Sequence, residues 1–563
     1  MALVALALLL ASWLPYLVGW AAAPSGAHFA GLVYNPLDGQ SYIAKMRLGA
    51  DGSWLFRLPY THQSQQGAPV YLFYLFLGHL SRWTGLPLLA VYHGARTVGG
   101  LALLFGLYRL TAHLADGVRQ RRLLFLVAAT GAGLGWLAVL LGHQLPDLWV
   151  FEAFPFSAML TNAHFPVALA LMAWCACWGL RAHASHRAGL ALVAGAVTLG
   201  AIQPFGLLPL WGGLVGMLVA RWRVRSRRGG PPCPPRGDPG GGDHGGSPLR
   251  DGPPCPPRAQ SRRDGPPCPP RAQSRRGGPP CPPSGDPGEG DHGGSPLRDG
   301  AWVALAALLS LPYPLYTLWV LRADPLFAAW SAQNVTPSPS LWEWLLGFGV
   351  LGPLAAVGMV RAVRHGRPVD GLLLGWLAAT LVGLALPLDL ARRLSLGLGV
   401  AVGLLAGLGW GALRPSRRWM TVALLAFAAL TPLFLLVVGT SAALGGHPLL
   451  YLSDGEWAAL GWLRDHAPHD AVVLCAPESG LFVPAWAGQR VVYGHPFETV
   501  DAEAMRAEVE QFWAGERDPD WLTAVGIDYI LYGPRERALG GPPPGDPVFR
   551  AGDTTVYLWE NGP

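Results

Sequence analysis

Charge is scarce in this chain. Charged side chains make up 13% of its 563 residues and hydrophobic ones 51%, about half the usual charged share of roughly 25% in soluble domains. Long charge-poor apolar runs recur from the N-terminus to about residue 440, which excludes an ordinary soluble domain and predicts a polytopic α-helical membrane protein. Lysine is almost missing: Lys45 is the sole one among 41 basic residues. The net charge of +6 is therefore arginine. It is clustered between hydrophobic runs and forms no single basic face, so nucleic acid is excluded as a partner. Of seven cysteines, four (Cys233, Cys255, Cys268, Cys281) sit in one repeated segment. Cys175 and Cys177 lie in an apolar run and Cys475 in a predicted strand, with neither zinc-type spacing nor a disulfide framework. The chain has no Walker loop, GxSxG, HExxH or GxGxxG in strand–turn–helix context, which argues against ATP-driven transport, serine hydrolysis and zinc proteolysis.

What is present begins with an apolar first span at 2–22. Ala21-Ala22-Ala23 resembles a signal-peptidase site but lacks a basic segment before it, and cleaved or not, the loop at 23–67 ends up outside. An aromatic stretch at 67–80 is too short to cross and reads as an interfacial or re-entrant helix. Further spans are predicted near 87–109, 122–141 and 162–181. The run 188–220 is split by Gln203-Pro204 into two short passes, because proline removes a helix donor. Spans near 301–321, 341–361, 368–387, 393–413 and 419–440 follow, giving about eleven in all. Five arginine-bearing loops (109–122, 181–187, 221–228, 361–367, 414–418) fall on one side if the N-terminus is cytoplasmic. The expectation is a multi-pass protein of a bacterial-type plasma membrane, with the 23–67 loop and the C-terminus extracytoplasmic.

The chain thus divides into an N-terminal membrane module (1–221), an insert (222–300), later membrane spans (301–440) and a tail (447–563). In the insert, Asp-Gly-Pro-Pro-Cys-Pro-Pro-Arg-Ala-Gln-Ser-Arg-Arg occurs at 251–263 and again at 264–276. With almost nothing apolar to bury, it is expected to be a disordered cytoplasmic repeat. The tail alternates strands (471–475, 490–493, 527–532, 554–559) with helices (456–466, 501–514), which predicts a small extracytoplasmic α/β domain.

Four extracytoplasmic features are candidates for chemistry. Asp38 is the first charged residue, within Tyr34-Asn-Pro-Leu-Asp-Gly-Gln-Ser-Tyr42, and Tyr42 shares its face if the piece is helical. Two readings are open: a solvated membrane-edge carboxylate, or a general base. The loop 142–165 carries Asp147, Glu152, Asn162 and His164, with Asn162 suited to a helix N-cap. Arg392-Arg393, after Pro387-Leu-Asp389, break the positive-inside pattern in a very short outer loop. A planar guanidinium suits phosphate, against an Asp389 ion pair or interfacial anchoring. Gly494-His495-Pro496-Phe497-Glu498 reads as a structural turn that could also line the site from above. His28, His62, Asp38, Glu152 and His164 have no metal-ligand spacing.

One apolar span, a long outer loop with an early acid and an aromatic interfacial helix together resemble the GT-C glycosyltransferases. Ala90-Val-Tyr-His-Gly-Ala-Arg-Thr-Val-Gly-Gly is similar to that superfamily's second membrane helix. The nearest patterns are the protein mannosyltransferase-like and aminoarabinose-transferase-like enzymes. The resemblance implies a cell-envelope transferase moving a sugar from a polyprenyl-phosphate donor to an acceptor lipid, glycan or protein. Asp38 would be the catalytic base, with Tyr42, Glu152, His164, Arg392 and Arg393 binding substrate. No nucleotide is needed, and a divalent cation is the one cofactor left open. The rival is a non-catalytic transporter or lipid-handling protein, which should hold ionisable residues at mid-membrane, whereas here nearly all fall at span ends.

Overall fold

The computed structural model describes residues 1–228 and 296–559. Most of the insert read at 222–300, with its four cysteines, lies outside the described residues. Among the described residues eight helices are long and apolar enough to cross a membrane. They include α1 (Ala2–Ala21), α4 (Leu88–Leu114) and Arg418–Leu444. A ninth candidate is the pair Leu341–Phe348 and Leu351–His365, bent by 91° at Gly349, whose φ of +51° suits glycine.

The count of about eleven is therefore too high on this criterion, and the difference lies in two places. His164–Arg181 has 18 residues, a histidine at one end and an arginine at the other, and is buried along most of its length. His186–Ile202 has only 17 residues, because Gln203 leaves the helix and a short turn at Pro204–Gly206 precedes the next one.

Small residues set the packing of the bundle. A Cβ on Gly358 would lie 1.9 Å from the Leu405 carbonyl oxygen, and one on Gly409 would lie 2.0 Å from that of Leu354. Backbone thus meets backbone between Leu351–His365 and Leu398–Leu413, the arrangement expected where dispersion and not water exclusion holds helices together. The same device joins α2 (Pro36–Ala50) to α3 (Leu72–Thr84), where a Cβ on Gly78 would lie 2.0 Å from the Met46 carbonyl oxygen. α3, at 13 residues, is too short to span.

The tail is tied to the first outer loop. β1 (Ala27–Phe29) pairs antiparallel with β2 (Tyr451–Ser453), with Ala27 opposite Ser453. Helix Asp454–His466 follows β2 through a capping box between Ser453 and Glu456. A five-stranded sheet is then built from β3 (Val472–Leu474), β4 (Arg490–Val491), β5 (Tyr529–Tyr532), β6 (Asp546–Ala551) and β7 (Thr554–Leu558), in the order β4-β3-β5-β7-β6. β3 runs parallel to β4 and β5, and β7 is antiparallel to β5 and β6. Strand alternation separates two apolar layers. Val472, Leu474 and Ile530 pack with Val509 and Phe512 of Ala502–Trp513, while Val473, Cys475 and Leu531 pack with Leu460 and Leu463 of Asp454–His466. Ala30 and Tyr60 of the first outer loop join this second layer, so the tail sheet and the 23–67 loop share a core. β3, β4, β5 and β7 fall on the four segments read as strands. β6 was not anticipated, since its residues are largely exposed and carry no alternating apolar face.

Candidate active site

α2 begins where the chain must turn sharply. Asn35 takes the left-handed conformation at φ 48°, and Pro36 supplies the fixed φ of a first helical residue. Asp38 then falls in the first turn, where the helix dipole favours a carboxylate. The Asn35 amide donates to Asp38 Oδ2 at 2.6 Å. On the other oxygen, His495 Nε2 stands 3.6 Å from Oδ1, longer than a hydrogen bond but within reach of a charge–dipole contact. Burial pushes the Asp38 carboxyl up, but the His495 ring, the Asn35 amide and the Arg393 charge together outweigh it and hold it low, at about 2.

Asp38 opens onto a cavity of about 760 Å³, open mouth included, lined also by Tyr42, Glu152, His164, Arg392 and Arg393. The six residues to which the resemblance gave catalytic or binding roles line this one space, although the chain separates the first from the last by more than half its length. Tyr42 stacks on Tyr74, ring centroids 4.2 Å apart, and the Tyr74 hydroxyl lies 2.6 Å from His164 Nδ1. His164 is thus fixed through α3 and faces the same space.

The two arginines that line the cavity ride on a single tight turn, Ala391–Ser395. The turn is anchored by backbone bonds to a neighbouring segment: the Arg392 N–H donates to the Thr336 carbonyl at 3.2 Å and the Thr336 N–H to that of Asp389 at 2.6 Å. Their guanidiniums lie against aromatic rings, Arg392 5.0 Å from the centre of Trp149 and Arg393 5.9 Å from that of Phe205. The Asp389 ion pair considered as an alternative does not form among the described residues. Arg392 instead has Glu152 Oε1 at 3.9 Å from its Nε, and the Arg393 guanidinium makes no ion pair or hydrogen bond among the described residues. Burial pushes the Glu152 carboxyl up, opposed by the two arginines.

Two other readings of the 142–165 loop change. Asn162 is no N-cap: the helix starts at His164 with Ala163 in the cap position, and the Asn162 side chain instead faces the Tyr92 hydroxyl at 3.5 Å. Asp147 is outside the cavity and ties the loop internally, accepting from the Gly133 and Gly135 N–H groups at 3.1 and 3.0 Å and from the Thr431 hydroxyl at 2.8 Å. Among the described residues, no group of three His, Cys, Asp or Glu side chains gathers in a way that would hold a metal ion.

Sequence reasoning underrated the residues behind α2. His495 sits in a turn, as read, but its ring is directed at Asp38. Lys45, on the same face two turns on, is wholly buried and pairs with Glu498 at 2.8 Å among the rings of Tyr42, Phe56 and Tyr71. The signal for Lys45 was its being the only lysine in the chain. Tyr71, Tyr74 and Gln203 also line the cavity; the sequence marked them as part of an aromatic stretch and of a helix break, not as cavity residues.

No family model matches the chain, and no curated protein sequence matches it either. Among solved structures it is similar to ArnT from Cupriavidus metallidurans bound to undecaprenyl phosphate, at 13% identity and a TM-score of 0.49, over 99% of this chain and 97% of that one. It is similar to the arabinofuranosyltransferase AftD from Mycobacteria at 18% identity and 0.47, over 98% of this chain but 41% of that one. It is similar to the Archaeoglobus fulgidus oligosaccharyltransferase at 12% identity and 0.43, over 94% and 69% respectively. A likeness at this level assigns no chemistry, which has to be argued from the cavity.

Proposed function

We propose that the protein is a membrane glycosyltransferase of the GT-C type, transferring a sugar from a polyprenyl-phosphate donor to a hydroxyl acceptor at the extracytoplasmic face. The observation that carries this reading is one cavity lined both by an ionised carboxylate on α2 and by two arginines on the Ala391–Ser395 turn. That is the charge arrangement needed to attack a sugar phosphate. The acceptor hydroxyl sits against Asp38. Its oxygen forms a bond to the anomeric carbon from the face opposite the phosphate, and the carbon–oxygen bond to the phosphate breaks with inversion. The electron pair leaves on the polyprenyl phosphate, where Arg392 and Arg393 meet the growing charge. The acceptor proton passes to Asp38. A carboxylate held this low is ionised at any physiological pH but only weakly basic, so the proton moves late, once the attacking oxygen has become acidic.

The donor needs no nucleotide, because the phosphate ester itself is the leaving group. The outward placement of the cavity follows the arginine pattern of the loops. The acceptor class, whether lipid, glycan or protein, is left to the assay. Purified full-length protein is given a panel of polyprenyl-phosphate sugars with a radiolabelled sugar, together with cell-envelope acceptors. Label should move to acceptor with wild-type protein and fail to move with Asp38→Asn. Equal transfer by both proteins would overturn the reading.

A further inference from the structure

We propose that His495, carried to the cavity by the tail turn Gly494–Thr499, is the positioning residue for Asp38 and makes the tail part of the active site. The proposal rests on reading Asp38 as the base. His495 Nδ1 accepts the backbone N–H groups of Phe497 and Glu498, both at 3.1 Å. With Nδ1 so engaged, the ring proton must sit on Nε2, the nitrogen facing Asp38 Oδ1. That N–H has no hydrogen-bond partner among the described residues although it is buried. A buried donor without a partner is costly, and Asp38, at 3.6 Å, is the acceptor within reach. A small shift of the carboxylate on substrate binding would complete the bond. Long contacts of this kind in a ligand-free site commonly tighten when the complex forms.

The turn is built to hold that ring still. The Thr499 hydroxyl oxygen accepts the Gly494 and His495 N–H groups at 3.3 and 3.2 Å. From helix Pro325–Gln333, the Trp330 indole donates to the Phe497 carbonyl at 3.0 Å, and Gln333 donates to the Thr499 carbonyl. Glu498, three residues past His495, grips Lys45 at 2.8 Å. Asp38 and Lys45 lie on one face of α2, so the turn clasps that helix at two points two turns apart. Asn35 on Oδ2 and His495 beside Oδ1 thus hold both oxygens of a carboxylate that lines the cavity.

The test uses His495→Phe and His495→Gln in the full chain, with thermal unfolding as the check on folding. Phenylalanine fills the ring's place without an N–H. Glutamine returns an N–H near the Nε2 position. His495→Phe should lower kcat by up to about 10²-fold, the scale of a misplaced reacting group, with donor KM unchanged because the arginines are untouched. His495→Gln should recover most of the rate.

A second arm is independent of any sugar transfer. Water-soluble carbodiimide labels protonated carboxyls, and Asp38 is accessible to it, its side chain being 41% exposed. At pH 5, labelling of Asp38 read by mass spectrometry should be several-fold faster in His495→Phe than in wild type, and close to wild type in His495→Gln. The other charged or titratable groups coupled to Asp38, namely Arg393, Glu152, His164, Tyr42, Tyr60, Tyr71, Tyr74 and Tyr92, are the same in all three proteins. Unchanged labelling and rate in His495→Phe would overturn the proposal. So would a His495→Gln protein no better than His495→Phe, since the loss would then belong to the turn and not to the N–H. If Asp38→Asn retains transfer, the base assignment falls, while the labelling arm still reports on the His495–Asp38 contact.

Discussion

The two walls of the cavity are held in opposite ways. Asp38 has Asn35 on one oxygen and His495 beside the other, and its helix is clasped again at Lys45. The arginine wall is a single turn fixed by backbone bonds, with Arg392 only loosely faced by Glu152 at 3.9 Å and Arg393 without an ion partner among the described residues. A base gains from being fixed in advance where the reacting hydroxyl will lie. A cation whose partner is a ligand gains from being left unpaired until that ligand arrives. On the proposed reading, the braced wall is the base and the open one the anion site.

Breaking the braced wall should have the largest effect. Asp38→Asn keeps the shape and the Asn35 contact geometry but removes the proton acceptor. Turnover should fall by about 10²–10⁴-fold, while donor affinity, measured by titration of the purified protein, stays within error. Near-normal turnover would return Asp38 to the solvated-carboxylate reading.

The second clasp gives a stability effect. Lys45→Met leaves Glu498 buried without its partner, and such single removals cost roughly 3–5 kcal/mol. Thermal unfolding should show a clear fall in Tm, and Lys45→Met/Glu498→Gln should recover much of it, because the uncompensated charge is gone. A double variant as unstable as the single one would mean that the clasp is not electrostatic.

On the open wall the loss should include binding. Arg392→Ala or Arg393→Ala should weaken donor affinity by roughly 1.5–3 kcal/mol, the scale of a hydrogen bond to a charged group, and lower kcat as well, because the same guanidiniums meet the leaving-group charge. Lysine at either position should restore part of it, since an ammonium brings charge but no bidentate fork. Unchanged donor affinity in both alanine variants would remove the phosphate site.

How legible each wall was in the sequence follows from the same contrast. Arg392 and Arg393 stood out because they violate a rule of charge placement along the chain, and Asp38 because it is the first charge after an apolar span. Such signals are local. His495 acts on a residue more than 450 positions away, and its direction is set by a turn that Thr499, Trp330 and Gln333 hold from three places. No local pattern records that. The membrane helices were legible as apolar runs, but the bend at Gly349 and the short helix before Gln203 are breaks that composition places only approximately. β6 was missed because an exposed edge strand buries no alternating face.

The smallest predicted effect decides what Glu152 does on the open wall. At 3.9 Å from Arg392 Nε, its carboxylate is an anion already sitting where the donor phosphate would place one. If the two compete, Glu152→Gln should strengthen donor binding by roughly 0.2–1 kcal/mol, the worth of a weak ion pair, or up to about fivefold in Kd. The sign with pH follows. Burial raises the Glu152 carboxyl above its ordinary value, and the donor's phosphate ester stays ionised under mildly acidic conditions. As pH falls through the raised Glu152 value, protonation removes the competing charge, so wild-type donor affinity should rise on the acid side. Asp38, held near 2, does not titrate there and contributes nothing to the change. Glu152→Gln should show the tighter affinity at all pH values and no acid-side rise. Weaker donor binding in Glu152→Gln would reverse the assignment, because Glu152 would then be aiming Arg392 at the donor, and the arginine wall would be braced after all.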